Sequence, residues 1–281
     1  MDRPVPNIAD GIEYWKTQPA SYDGVLGGYG NGTLPRIDSL GSRLFLLHLY
    51  PELSTVPSAF RPLEPRAPSR TRALDVGAGV GRVTSDVLLH LVSDVVLLEP
   101  VGPFVQEALA RARASASTEP PQRGQRPWRG IADQTRSVTI LQGTIQEFDP
   151  MNPHRVTFLD RVGYQPPRPA DDINLGFDVI WCQWCLGHLS DPDLVAFLRR
   201  SHAALRDKEK GRSVIVVKEN VCQDNQDGSA CTLFDEQDSS LTRSDRAWKD
   251  IFDQAGLKLV MEQIQEGLPE GLYVVKMYGL R

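Results

Sequence analysis

Asp75-Val76-Gly77-Ala78-Gly79-Val80-Gly81-Arg82 is a glycine-rich turn set between a short apolar run and a run of helical period. Such glycines let the backbone pass close to a ligand, and the N–H groups opening the next helix can meet its anionic or carboxylate parts. Glu99 closes the next apolar run about twenty residues on, where an acid can accept hydrogen bonds from two ribose hydroxyls. Turn and acid together predict an adenosine-containing cofactor. The pyrophosphate-binding form wants glycine at its first, third and sixth positions, and the sixth here is Arg82, which leaves a nicotinamide-dependent dehydrogenase as a distant alternative. From Glu219 to Thr242 the chain carries Glu219, Asp224, Asp227, Asp235, Glu236 and Asp238 with no Lys or Arg. Such a run is either a solvated loop or the complement of a cationic partner. Cys182 and Cys185 form a C-x-x-C pair, but Cys222 and Cys231 have the wrong spacing for a zinc ribbon or finger, so no metal site is expected.

Alternating strand and helix patterns must position these groups. Strands are predicted at Arg72 to Val76, Asp94 to Glu99, Ser137 to Leu141, Phe177 to Trp181 and Ser213 to Lys218, and two more at Leu257 to Gln263 and Leu272 to Tyr278. Helices are predicted at Val83 to Val92, Val101 to Ala114, Pro192 to Leu205 and Ser244 to Ala255; in the third, Leu194, Phe197, Leu198 and Leu205 share one face. This alternation predicts a parallel sheet with helices on both faces and ligands at the carboxyl ends of its strands. The 281 residues, 41% hydrophobic and 24% charged, read as one domain over residues 1–281. An N-terminal helical or lid segment is expected at about 11–50, with Gly24, Gly27, Gly28, Gly30 and Gly32 in the lid, and Pro- and Arg-rich insertions near 51–71, 115–136 and 150–174 as surface loops.

A net charge of −5 disfavours a dedicated nucleic-acid binder, despite the arginines between Arg111 and Arg136. The opening residues lack an apolar core of signal-peptide length, and no stretch approaches the roughly eighteen apolar residues of a membrane span. No membrane partner is expected, and the location expected is cytoplasmic, extending to the nucleus.

The Asp75 to Gly81 turn resembles the first motif of the class I S-adenosylmethionine-dependent methyltransferases. Further residues narrow the resemblance: Tyr14-Trp15-Lys16, Gly27-Gly28-Tyr29-Gly30, Ile180 to Trp184 with Gly187-His188-Leu189, Lys218-Glu219-Asn220, and Asp235 to Ser240. Together they look like the protein N-terminal α-amino methyltransferases, from about residue 11 to 281, with the insertions as departures. The resemblance implies a Rossmann-like fold with a mostly parallel seven-stranded sheet and an antiparallel C-terminal strand. It implies S-adenosyl-L-methionine as cofactor and, as partners, proteins whose processed N-termini read Xaa-Pro-Lys/Arg, among them ribosomal or chromatin proteins.

By position, the resemblance implies cofactor contacts from Gly77, Gly79, Arg82, Glu99, Ile145, Gln146 and Gln183, with Arg82 paired to the methionine carboxylate. It assigns His188 and Asp238 to removing the amine proton, with Asn220 holding the amine or the first peptide unit. Substrate contacts are implied for Trp15, Leu26, Tyr29, Trp184, Asp235 and Tyr273; the aromatic faces suit a proline ring and a methylated ammonium. The alternatives are a small-molecule methyltransferase, which predicts a closed apolar pocket, and a noncatalytic cofactor-binding partner protein, which His188, Asn220 and Asp238 together argue against.

Overall fold

β1 (Arg72–Val76) and β2 (Asp94–Glu99) are buried at every position, as parallel strands covered on both faces must be. They lie at the centre of a computed structural model that describes residues 4–54, 56, 70–117, 126–167, 175–207 and 211–281. Ahead of them come α1 (Ile8–Lys16), α2 (Tyr22–Val25) and α3 (Leu34–Leu49). Asn7 starts α1 by accepting the N–H groups of Ala9 and Asp10 on its side-chain oxygen, a polar cap for otherwise unpaired donors. After β1 follow α4 (Arg82–Asp86), β2, α5 (Gly102–Ala116), β3 (Ser137–Gln142) and β4 (Thr157–Gly163). The second half runs β5 (Val179–Gln183), α6 (Asp191–Ala203), β6 (Val214–Cys222), β7 (Thr232–Asp235), β8 (Ser240–Ser244), α7 (Asp245–Ala255), β9 (Leu259–Ile264) and β10 (Val274–Leu280).

The ten strands of the described residues belong to one sheet, ordered β4-β3-β2-β1-β5-β6-β10-β9, with β8 joined to β6 and to β7. β3, β2, β1, β5 and β6 are parallel; β10 runs antiparallel between β6 and β9. The expected seven-stranded sheet is therefore present, and β4 and the β7–β8 hairpin enlarge it. β4 corrects the reading of 150–174 as loop: Thr157–Gly163 pairs antiparallel with β3 and forms the sheet edge. The first insertion falls largely outside the described residues, as do 118–125 of the second and 168–174 of the third. The helix expected at Val83 to Val92 stops at Asp86 and continues as a short 3₁₀ turn, Leu88–His90.

Strand side chains alternate between two cores. Ala73, Val95, Val179 and Val214 face α3 and α5, where Phe45, Leu46, Val105 and Leu109 cover them. Leu74, Val96, Ile180 and Ile215 face α6 and α7, under Phe197, Leu198, Trp248 and Phe252. A one-residue slip in any central strand would exchange the two cores, so burial on both faces fixes the register. Among the described residues no helix is long and apolar enough to cross a membrane.

Candidate active site

The first cleft opens at the carboxyl ends of β1, β2 and β5 and encloses about 970 Å³ of empty space, open solvent included. Gly77, Gly79, Arg82, Glu99, Ile145, Gln146 and Gln183 all line it. Gly77 has φ +61°, and a Cβ there would stand 2.4 Å from Cys185 Cβ, so only glycine lets the turn pass under the β5 loop. Glu99 accepts the Gly79 N–H on Oε2 at 2.7 Å and the Val101 N–H on Oε1 at 2.8 Å. Burial pushes its carboxyl up to about 7 against these two bonds. Each oxygen keeps acceptor capacity toward the cleft.

A buried network behind the cleft holds its polar wall. Asp38, on α3, accepts Gln183 Nε2 at 2.8 Å and Lys218 Nζ at 2.6 Å on Oδ1, and Arg82 Nη1 on Oδ2. Gln183 Oε1 in turn accepts the Trp181 indole N–H at 3.0 Å, which fixes the amide orientation. Burial alone would raise the Asp38 carboxyl, but Arg82 and Lys218 outweigh it and hold it below the usual carboxylate range. Two buried cations thus share one carboxylate. Arg82 also lines the cleft, where its guanidinium can pair with a ligand carboxylate. With Glu99 placed for ribose hydroxyls, the donor set fits S-adenosylmethionine.

The second cleft is lined by Trp15, Leu26, Tyr29, Trp184, His188, Asn220, Asp238 and Tyr273. Trp15, Val25, Trp184 and His188 belong to both clefts, so the two meet across these residues. The Trp15 indole N–H donates to His188 Nε2 at 3.0 Å. Trp184 Nε1, His188 Nδ1 and Asp238 Oδ1 are buried without a hydrogen-bond partner. Orphaned polar atoms in a buried site are costly unless a ligand meets them. Burial lowers the His188 imidazole below its ordinary value, with Asp238 and a backbone bond to Ser239 opposing.

Asp235, expected at the substrate site, lines neither cleft; it is exposed and accepts the Gln237 N–H. Its charge still reaches Tyr14, whose phenol is raised by burial, then by Asp238 and Asp235. The glycine stretch expected as a lid folds as α2 and tight turns, where a Cβ on Gly24 would overlap the Pro19 carbonyl.

Sequence reasoning missed the residues that hold the His188 turn. Glu219 Oε1 accepts the N–H groups of Cys185 at 2.9 Å and Leu186 at 3.0 Å, while the Arg243 guanidinium donates to the carbonyls of Leu186 and Leu189. The turn is gripped from both sides by buried charges. Burial pushes Glu219 up to about 7, from an ordinary 4.5, against the backbone bonds and Arg243. Its proton is bound more tightly folded than unfolded, so its contribution to stability falls as pH rises from 4.5 toward 7. Glu219→Gln keeps an oxygen for both N–H groups and removes the charge. Its loss of stability between about pH 6 and about pH 8 is expected to be smaller than the wild type's by about 1 kcal/mol. Thermal melts at the two pH values check this, and parallel slopes would place the titration elsewhere.

Cys182 and Cys185 are buried thiols raised well above their ordinary range by burial, and Cys185 Sγ contacts the Val76 carbonyl at 3.2 Å. No cluster of three or more metal-ligating side chains occurs among the described residues. Several arginines of the basic stretch are engaged within the fold: Arg111 lies over the Tyr22 ring, Arg113 pairs with Asp160, and Arg136 holds the Val92 carbonyl.

A glycine turn between β1 and α4, an acid ending β2 and this strand order define a class I S-adenosylmethionine-dependent methyltransferase. A methyltransferase of Leishmania major of this cofactor class superposes with a TM-score of 0.65 at 30% identity, covering 97% of this chain and 82% of that one. The chain belongs to the AdoMet-dependent proline di-methyltransferase family, which matches residues 6–281. Alpha N-terminal protein methyltransferase 1 of Schizosaccharomyces pombe is 34% identical over 97% of this chain and 94% of its own length. N-terminal Xaa-Pro-Lys N-methyltransferase 1 of Xenopus tropicalis is 31% identical over 96% of this chain and 92% of its own.

Proposed function

We propose that the protein transfers methyl groups from S-adenosylmethionine to the N-terminal α-amine of proteins beginning, after Met removal, Xaa-Pro-Lys/Arg. The observation carrying this reading is the junction of the clefts, where the unpartnered His188 Nδ1 and Trp184 Nε1 stand, with the unpartnered Asp238 Oδ1 in the second cleft alone. A second cleft bounded by Tyr29 and Tyr273, 38% and 50% exposed, suits an extended chain entering end-first better than an enclosed small molecule. The cofactor, when bound, supplies an electrophilic methyl on a sulfonium. The residues around it align a neutral amine and accept its proton. An α-amine near pKa 8 is partly neutral at pH 7, whereas a lysine amine is almost wholly charged, so modest help suffices for an N-terminus. Asn220 can hold the first peptide unit by its amide. Asp238, with Asp235 nearby, supports attraction of a Lys or Arg at the third position.

Ribosomal and chromatin proteins with such N-termini are the proposed substrate classes, and the cytoplasm and nucleus the proposed locations. Peptides beginning Ala-, Ser- or Pro-Pro-Lys are the test, incubated with enzyme and cofactor beside N-acetylated and Lys-to-Glu controls. Intact-mass spectrometry is expected to read successive methyl additions on free-amine Lys peptides alone. No transfer to any of them, with cofactor demonstrably bound, would sink the reading.

A further inference from the structure

At the end of β9 the apolar Ile264 is 52% exposed while the polar Gln265 beside it is 9% exposed, the reverse of what burial favours. From Glu262 to Val274, Gln265 is the one buried residue. Its amide explains the inversion. Oε1 accepts the Lys218 ammonium at 2.8 Å, and Nε2 donates to the Glu266 carbonyl at 2.9 Å. The amide lies against α3 at Gly41, where a Cβ would stand 2.2 Å from Oε1 and 2.7 Å from Nε2. Gly41 is in the middle of a 16-residue helix, where glycine is disfavoured relative to alanine, and its missing side chain is what leaves room for the amide.

We propose that Gln265 is a positioning residue of the second cleft: its amide pins the β9–β10 loop to Lys218 and thereby sets where Tyr273 stands. This deepens the reading of that cleft as a peptide site and rests on it. Lys218 has three N–H donors, and around them lie Asp38 Oδ1 at 2.6 Å, Ser42 Oγ at 3.0 Å and Gln265 Oε1 at 2.8 Å, with the Asp38 carbonyl at 3.3 Å. A buried ammonium holds such partners firmly, because losing one leaves a desolvated donor. Asp38 and Ser42 belong to α3 and Gln265 to the loop, so the cation joins both to β6.

The pin is continuous with the cleft. Lys218 is followed on β6 by Asn220 two residues on, and Gln265 donates its backbone N–H to the carbonyl of Val275, which pairs with Asn220 across the sheet. Asn220 and Val275 line the second cleft, as do Gly271, Leu272 and Tyr273 of the loop. Gly267 and Gly271 turn the loop at φ +78° and +85°, and no residue from Glu266 to Val274 is buried. Gln265 is therefore the fixed point from which Tyr273 is placed. The α1 wall is tied separately, by the Asn7 N–H, which donates to Ser239 Oγ in the β7–β8 turn at 2.8 Å. Loss of the Gln265 contact displaces the Tyr273 wall and leaves the Trp15 wall where it is.

Two variants of the full-length protein reach the contact from its two sides. Gln265→Met keeps the length of the side chain and removes the amide, while Gly41→Ala expels the amide from α3 without altering Gln265 or a residue of the cleft. In both, Asp38 keeps Arg82, Gln183 and Lys218 as partners, so cofactor affinity is expected to stay within about twofold of wild type. With an Xaa-Pro-Lys peptide, KM is expected to rise about tenfold and kcat to stay within about threefold, the pattern of lost uniform binding. The double variant is expected to raise KM no further than the larger single effect, because both changes remove one contact. Fluorine spectra of protein labelled with fluorotyrosine read the wall without substrate: the Tyr273 signal, assigned by its loss in Tyr273→Phe, is expected to shift in both variants. An unmoved Tyr273 signal, an unchanged KM, an equal loss of cofactor affinity, a loss confined to kcat, or multiplied effects in the double variant would each overturn the proposal. A peptide panel inert with wild-type enzyme would count against the substrate reading, and the Tyr273 spectra would still decide whether the amide pins the loop.

Discussion

Asp238→Asn is expected to lower kcat by roughly 10² to 10⁴-fold, the range of general acid–base contributions, with cofactor affinity little changed. Asn preserves the shape of the side chain and one oxygen, but an amide cannot take up the amine proton. Asp238 lines the second cleft and not the first, which is why the two quantities should separate. Single-turnover rates with an Xaa-Pro-Lys peptide, beside calorimetric titration of the cofactor, check the split. An equal loss of cofactor binding would reassign Asp238 to holding the first cleft.

Asp38→Ala is expected to cost about 3–5 kcal/mol of stability, the range for breaking a buried ion pair by removing one partner. The cost arises from Arg82 and Lys218, whose side chains are 5% and 0% exposed and would remain as uncompensated cations. Because the same carboxylate orients Gln183 as well as Arg82, cofactor affinity should fall with stability. Adding Lys218→Met to Asp38→Ala removes one orphaned charge and should restore part of the stability but not the affinity. Denaturant unfolding and calorimetry measure the two effects; full cofactor affinity in a folded Asp38→Ala protein would limit Asp38 to a structural role.

The residues expected to contact the cofactor fall in one cleft, and their signal is local. A turn, a strand end and an acid about twenty residues later are all read along the chain, and each lines the first cleft. β4 was missed because its first residues are exposed and the surrounding prolines argue for loop. The β7–β8 hairpin was hidden by an acidic run that reads equally as solvated surface. That run also proved divided: Glu219 is buried under the His188 turn, Asp227 serves its own loop, and Asp235 lies outside the clefts. Asp38 could not be found by pattern, since its partners stand 44, 145 and 180 residues away in sequence. Lys218 did carry a clue: a cation following Val214-Ile215-Val216-Val217 in a central strand demands a buried counter-charge.

The hydrogen bond from Asn7 to Ser239 spans 232 residues of chain. At synthesis rates of about 5–20 residues per second, the first helix waits roughly 10–45 s after its own translation for the turn that anchors it. Lys218, on β6, likewise follows Asp38 by 180 residues of chain. A nascent chain can therefore assemble much of the β1–β5 region while it has neither a finished cofactor wall nor a substrate cleft. Catalytic competence arrives late on the ribosome, and a stall before the hairpin emerges would yield a chain with a nucleoside-binding turn and no methyl acceptor site.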